Sequence, residues 1–180
     1  MKETIRLIAA TLLVGGMAMT GTAWAGSPEQ AAPLPTSLHL QQVEILDQVA
    51  ALAAKPAPIG PAAGQLQTML MAHIAYLDGV ILPPLTLLPT IAATDVGPEM
   101  KWALPLIERA KAEQQQRVQL DEQLTERLVV LFQAAQEAND AQAVRLAQDI
   151  AAWLEGVAEV TEPATQLVGK YLRVRFASGS

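Results

Sequence analysis

The sequence has 180 residues, of which 12 are Lys or Arg, 18 are Asp or Glu and none is Cys. The formal net charge of −6 disfavours a nucleic-acid partner, and the lack of cysteine excludes disulfides, thiolate metal sites, thiol nucleophiles and covalently attached haem. No GxSxG motif, P-loop or dinucleotide-binding glycine pattern occurs, so we do not expect an enzyme.

The first 25 residues have the pattern of a cleavable signal peptide. Lys2 and Arg6 lie before or at the start of an apolar stretch over residues 7–18, and small residues ending at Ala25 follow it. This order is typical of secretory signals, and the stretch is shorter than the roughly 20 residues that a transmembrane helix needs. We therefore expect cleavage after Ala25, a periplasmic location and no stable membrane insertion of the product. A retained N-terminal anchor is the alternative.

Two helices are predicted in the first half of the remaining chain. Residues 26–35 contain three prolines and predict an extended lead-in. A first helix is expected from Thr36 or Ser37 to about Lys55, with a core stripe of His39, Val43, Leu46, Ala50 and Ala53. A second is expected over residues 62–82, where Pro83 stops it, with a core stripe of Leu66, Leu70, His73, Leu77 and Ile81.

The second half predicts further helices. Residues 106–138 contain no helix breaker and favour one long third helix, whose polar part, residues 108–127, should project or face a partner. Asn139 and Gln142 form a capping box for a fourth helix, which Pro163 interrupts before a short final helix over residues 164–176. The predicted fold class is all-α, an up-and-down four-helix bundle with a short C-terminal helix over residues 36–176, followed by a frayed tail at residues 177–180.

Two histidines are the main candidates for chemistry. His39 and His73 lie on the predicted core stripes of two helices that should be antiparallel neighbours. The simplest interpretation is that each is a neutral, hydrogen-bonded interior residue. The alternative is a metal site or a non-covalent haem, with Met69 on the same face as His73. Carboxylates such as Asp121 and Glu122 are interpreted as solubilising charges on a polar helix face.

Two segments, AHIAYL with VILPPL within residues 72–85 and VTEPATQLVGKYL at residues 160–172, resemble helix ends of bacterial hemerythrin-like domains. That family has a four-helix bundle around a di-iron centre. The resemblance implies that His39 and His73 stand at ligand positions of the first two helices and that Glu159 is the possible acidic ligand. Leu77 stands where the bridging glutamate belongs, and the third helix has no histidine. The resemblance therefore implies a degenerate member with most metal ligands missing.

These observations favour an exported, non-enzymatic bundle that acts through an unknown protein partner, with no cofactor expected. Two alternatives stay open. One is a bundle that binds iron, copper or haem b through His39 and His73, with Met69 as a further ligand. The other is a carrier of a small apolar ligand between the helices.

Overall fold

The structure, a computed structural model, describes residues 34–93 and 96–178. The predicted signal peptide, residues 1–25, and most of the predicted lead-in, residues 26–35, lie outside the described residues. Within that part of the chain the regular elements are all helical and no strand occurs, so the all-α class is confirmed.

The described residues form five helical runs, whose ends differ from those of the helices predicted. Their α-helical parts are α1 (Thr36–Ala53), α2 (Ile59–Tyr76), α3 (Leu88–Ala93), α4 (Ala103–Ala112), α5 (Gln114–Glu137), α6 (Ala141–Gly156) and α7 (Glu162–Ser178). Two π-helical segments, Leu77–Ile81 and Val157–Thr161, and two 3-10 segments, Pro83–Leu87 and Pro98–Trp102, complete the runs. The last helix therefore extends into the tail that was predicted to fray.

Four helices enclose the main core. α1 packs against α2, α2 against α5, α5 against α6, and α6 contacts α1. Outside this group of four, α4 and α7 pack against each other and against the chain over residues 77–87. The run Ile59–Ala93 is long and apolar enough to cross a membrane by length and composition, and 44% of its apolar window is buried inside the protein. Fully buried aliphatic side chains fill the interior: Leu66, Leu70, Leu77, Leu124, Leu131 and Ile150.

The two N-terminal helices differ in how well their core faces were predicted. All five residues of the predicted α2 stripe are buried, which confirms it. The predicted α1 stripe is wrong, because His39, Val43 and Ala50 are exposed. The physical reason is that α1 carries apolar residues on more than one face, so its periodicity does not select the buried one. Packing against α2 instead buries Gln42, Ile45, Val49 and Leu52.

Both π-helical segments lie directly before an X-Pro step. The N–H of Leu82, which precedes Pro83, donates to the carbonyl of Leu77, and the N–H of Glu162, which precedes Pro163, donates to that of Val157. A proline ring inside an α-helix clashes with the carbonyl four residues earlier, and the wider π turn gives that ring room. The helical path continues past Pro163 without a break, so the predicted interruption there is wrong. At Pro83 the chain bends at Leu82 and changes to a 3-10 segment, so the second helix ends where it was predicted to end.

Two predicted features of the later helices are also wrong. The third helix is not continuous, because α4 and α5 meet at Glu113, whose backbone (φ −91°, ψ 3°) is not helical. Asn139 does not cap the fourth helix: it adopts a positive φ of 54° after α5 ends, a conformation that asparagine tolerates. Asp140 is the cap instead, since its Oδ1 accepts from the N–H of Ala143 at 3.0 Å.

Candidate functional site

His73 lies in the last turn of α2, immediately before the π-helical segment Leu77–Ile81. It is 1% exposed, because it shares the buried face of α2. Its Nδ1 lies 3.1 Å from Oδ1 of Asp121, but the orientation is not that of a hydrogen bond, and both ring nitrogens lack a hydrogen-bond partner among the described residues. The ring also meets Trp153 edge to face, with centroids 5.8 Å apart. His73 is therefore a buried polar group with unused hydrogen-bonding capacity.

A chain of charged side chains extends from Asp121 away from the imidazole. Arg117 and Asp121 are four residues apart on α5 and share a face, so that Nη1 of Arg117 donates to Oδ2 of Asp121 at 3.1 Å. The same Nη1 donates to Oε1 of Glu162 at the start of α7. The Arg117 side chain is 10% exposed and that of Glu162 is 14% exposed. One guanidinium thus links the carboxylates of two helices beside His73.

The surroundings of Glu162 shift the pKa of its carboxyl group. Burial raises the pKa of the Glu162 carboxyl above its usual range, and the nearby charge of Asp121 adds to the rise, whereas Arg117 and His73 lower it. Burial is the largest of these effects because a desolvated carboxylate loses hydration that its neighbours replace only in part. The ionised form of Glu162 is therefore less stable in the protein than it would be in water.

A cavity of about 290 Å³ lies against this cluster, between α2, α5, the end of α6 and the π-helical segment Val157–Thr161. His73, Asp121, Glu155 and Glu162 supply its charged or titratable walls. Some of the residues that line it, Glu155 among them, are exposed, which places the cavity within reach of solvent. Its other walls are mainly apolar: Leu128, Ala151, Leu154, Val157 and Ala158.

Two π-helical segments lie close in sequence to residues of this cluster. Leu77–Ile81 begins one turn after His73, and Val157–Thr161 ends directly before Glu162. A π turn widens the helix locally and is frequent at functional sites. Thr165, which is buried on α7, links the two segments because its Oγ1 lies within hydrogen-bond distance of the carbonyls of Ile81, at 2.8 Å, and of Thr161, at 3.1 Å. Val157 and Ala158 of the second segment line the cavity, whereas the first segment contributes no residue to its wall.

The structure separates the residues that the sequence singled out. The His39 side chain is 46% exposed, and its Nδ1 lies 3.8 Å from Oδ2 of Asp78, so its acidic neighbour differs from that of His73. Met69 is half-buried and packs against the core, and Glu159 is exposed on its π-helical segment. Across residues 34–93 and 96–178, no three His, Asp or Glu side chains group in a way that could hold a metal ion.

Sequence reasoning missed Arg117, Asp121 and Glu162. The interpretation of Asp121 as a solubilising charge is wrong, because its carboxylate lies against a buried imidazole and a nearly buried guanidinium. The i, i+4 spacing of Arg117 and Asp121 is a visible signal, but it is also typical of solvated helix faces. Only the position of α5 beside α2 and α7 distinguishes the two cases.

A second cavity, of about 490 Å³, lies on the other side of α5 beside Tyr76. Arg109 and Glu113 contribute to its wall and pair with each other at 3.0 Å. The hydroxyl of Tyr76 is buried without a hydrogen-bond partner among the described residues, and burial, followed by the charge of Glu113, raises its pKa. Tyr76 as a whole is only half-buried, whereas His73 is almost fully buried.

No family model, no curated protein and no solved structure matches this chain. The chemistry of the site therefore follows from its own groups. The cavity contains an imidazole, carboxylates and the hydroxyl of Thr125, which can donate and accept hydrogen bonds. Its walls are mainly apolar, with these polar groups among them.

Proposed function

We propose that this protein is a non-enzymatic carrier that holds a small, largely apolar molecule in the His73 cavity. One observation carries the proposal: a cavity of about 290 Å³ with mainly apolar walls lies beside the buried His73 and reaches solvent at the exposed Glu155. Contact between a ligand's apolar surface and Leu128, Leu154 and Val157 would supply the binding energy.

The dimensions of the cavity agree with a small ligand. An apolar cavity of about 150 Å³ in a protein core is large enough to bind benzene, and this one has a volume of about 290 Å³. Its apolar walls supply the contact area, and Asp121, Thr125 and Glu155 supply polar groups in the wall. Pockets for small molecules generally combine many apolar side chains with a few placed polar groups.

The residues present do not fit the di-iron centre of the family that the sequence resembles. Leu77, at the position of the bridging glutamate, is fully buried and apolar. Arg117 pairs with both Asp121 and Glu162, so the carboxylates nearest to His73 already have a cation. We therefore include in the proposal a hemerythrin-like helix order without the metal. The packing of α1, α2, α5 and α6 into a ring supports that order.

Native mass spectrometry of the full chain, purified without denaturation, tests the carrier function. We expect one small molecule per chain, which His73→Leu loses and the matched variant His39→Leu retains. If nothing co-purifies, titration with n-octanol is expected to saturate in the same His73-dependent way. A Soret band, or stoichiometric iron or copper that His73→Leu removes, would overturn the carrier in favour of a metal or haem protein.

The proposal also includes export to the periplasm, which the pattern of residues 1–25 supports. Expression of the full chain in a bacterium, followed by N-terminal sequencing of the product from each compartment, tests it. We expect a periplasmic product that begins at Gly26. A cytoplasmic or membrane-bound product that begins at Met1 would overturn export.

A second function, binding of a protein partner, is favoured by an apolar seam that begins in the π-helical segment Val157–Thr161 and continues along α7. The seam consists of Val160, Ala164, Leu167, Tyr171 and Val174, whose spacings alternate between four and three residues. Ala164 also packs against the core and Tyr171 is half-buried. Val160 is 67% exposed and Leu167 is 64% exposed. This spacing is that of a coiled-coil interface. The buried side of α7, with Val168 and Leu172, faces the bundle, whereas Val160 and Leu167 are exposed to solvent.

We propose that a second copy of this chain covers the seam, with the two α7 helices antiparallel. Glu159 lies near the beginning of the seam and Lys170 near its end, and both are exposed. In an antiparallel pair, each Glu159 approaches the Lys170 of the other copy, and such flanking charges set the orientation of paired helices. Charge complementarity therefore favours self-association over a partner of unrelated sequence.

Analytical ultracentrifugation of the full chain tests this proposal. We expect a dimer, which Leu167→Glu dissociates and which the matched variant Val129→Glu, an exposed apolar position outside the seam, leaves intact. Glu159→Lys should weaken the dimer, and adding Lys170→Glu should restore it. A wild-type chain that stays monomeric, or a dimer unaffected by Leu167→Glu, would overturn it.

A further inference from the structure

We infer that the chain from Val157 to Glu162 is a movable wall of the His73 cavity, and that its outward movement lets the ligand enter and leave. The inference rests on the proposed carrier function, since it concerns how the same cavity is filled and emptied. It gives the second π-helical segment a role in that function.

The movable wall lies at the mouth of the cavity. Four of the residues that line the cavity are exposed: Thr125 on α5, Ala151 and Glu155 on α6, and Ala158 in the π-helical segment. Val157 and Glu162 also line it. The mouth therefore lies between α5 on one side and the chain that leads from α6 into α7 on the other. Movement of residues 157–162 would change its width.

This stretch of chain is sparsely packed. Besides the His73 cavity, a cavity of about 210 Å³ lies against Ala158 and Glu162. Another, of about 260 Å³, lies against Val157, Val160 and Thr161. Among the five π-helical residues of the stretch, Val157 alone is buried. Regions with few buried apolar contacts open at a lower free energy than the rest of a protein, so we expect this stretch to open before the helices around it.

The backbone of the movable wall departs from the α-helix, whereas both of its flanks are anchored. Val157–Thr161 is π-helical, and such turns are rare and frequent at functional sites. Pro163, which follows the wall, has no N–H to donate. On the α6 side Trp153 is buried. On the α7 side the buried Thr165 donates to a carbonyl of the first π-helical segment at 2.8 Å. Movement is thus confined to the stretch between these two anchors.

One ion pair holds the movable wall against α5, and burial opposes it. Nη1 of Arg117 donates to Oε1 of Glu162. Burial nevertheless raises the pKa of the Glu162 carboxyl, which means that the ionised form would be more stable in water. The other titratable groups in the same cavity wall are Asp121 on α5, His73 on α2 and Glu155 on α6. Arg117 therefore favours the closed position, whereas desolvation of the Glu162 carboxylate favours the open one.

Stopped-flow fluorescence of the full chain measures how fast the cavity empties. The neutral fluorescent molecule N-phenyl-1-naphthylamine is bound first and is then displaced by an excess of n-octanol. Gly156→Ala should slow its release about two- to fivefold, because alanine stabilises the helical turn at which the movable wall joins α6. Gly156 does not line the His73 cavity, and an added Cβ there has nothing within 4 Å. Gly64→Ala on α2, where an added Cβ also has nothing within 4 Å, is the matched control and should leave the rate unchanged.

A second pair of variants tests the ion pair. Glu162→Gln should also slow release, because the amide still accepts a hydrogen bond from Arg117 and no charge is buried. Glu122→Gln, at an exposed position of α5, should not change the rate. All variants are compared at one protein concentration, because Val160 also belongs to the seam.

Hydrogen exchange, measured by mass spectrometry, reports on the movable wall without a ligand. We expect the amides of residues 157–162 to exchange at least about tenfold faster than those of residues 124–135 in α5. Gly156→Ala should slow the exchange of residues 157–162, and Gly64→Ala should not.

The outcomes separate the movable wall from the carrier function. If the fluorescent molecule binds but leaves at the same rate in the wild type, Gly156→Ala and Glu162→Gln, the movable wall is overturned while the carrier function stands. Exchange of residues 157–162 as slow as that of α5 would overturn it as well. If neither the fluorescent molecule nor octanol binds, the carrier function fails, and the role in ligand entry fails with it. Slower release in both variants, with fast exchange of residues 157–162, supports both.

Discussion

Nδ1 of His73 on α2 and Oδ1 of Asp121 on α5 lie 3.1 Å apart, with the imidazole buried and the carboxylate at the edge of the cavity. Arg117 holds the other oxygen of Asp121, so the carboxylate keeps a partner whatever happens to the ring. His73 has no comparable partner. Because of this difference, we expect replacement of His73 to cost less stability than replacement of Asp121.

We expect His73→Leu to leave the free energy of unfolding unchanged or to raise it. Leucine fills the site with apolar volume and removes a buried polar group without a partner, and such exchanges are often neutral or stabilising. His73→Ala has the opposite effect, because it leaves a larger cavity beside Trp153. Urea unfolding of both variants measures the difference. A large loss of stability in His73→Leu would show that the imidazole has a hydrogen bond in solution.

Glu162 should make the stability depend on pH. Its pKa in the folded protein is raised, chiefly by burial, so the folded state binds this proton more tightly than the unfolded chain. The stability it confers is then full below the unfolded value of 4.5 and falls as the pH rises through the folded pKa. Glu162→Gln should remove that fall, whereas the exposed Glu122→Gln should keep it. Urea unfolding at several pH values measures both slopes, and equal slopes would contradict this cause.

Two glycine-to-alanine substitutions should have opposite signs. A Cβ at Gly169 would lie 2.5 Å from Cγ2 of Ile107, a fully buried branched side chain, and overpacking of this kind costs about 1–3 kcal/mol. Gly64 lies within α2 with nothing within 4 Å of an added Cβ. There alanine should stabilise by about 0.5–1 kcal/mol through helix propensity. Thermal unfolding of both variants tests this, and a stabilised Gly169→Ala would show that α7 moves away from α4.

Thr165→Val should destabilise the contact between the two proline-linked segments. The Thr165 hydroxyl, buried in the bundle, donates to the carbonyl of Ile81 at 2.8 Å, and valine leaves that carbonyl without this donor. The expected loss is about 1–3 kcal/mol. Thr68→Val removes a similar bond to the carbonyl of Gly64, but on an exposed surface, so its effect should stay within about 0.5 kcal/mol. Equal effects in the two variants would mean that Ile81 finds another donor.

The α2 helix shows what local pattern is able to predict. Leu66, Leu70, His73, Leu77 and Ile81 recur at helical spacing, and all five are buried. In α1 the exposed Leu40 and Val43 compete with the buried Ile45 and Val49. Periodicity alone predicted the wrong face there, because burial of either set would satisfy the pattern and only the position of α2 selects one.

By itself, the sequence determined that the described chain is helical and that His73 faces the interior, since both follow from the spacing of residues along one helix. Only the tertiary structure decided what His73 meets. Asp121 and Glu162 are polar residues on other helices, and nothing in their own neighbourhoods distinguishes them from solvated charges. Their roles depend on which helices pack side by side. The spacing of residues within a single helix does not determine this packing, because it involves contacts between residues far apart in the sequence.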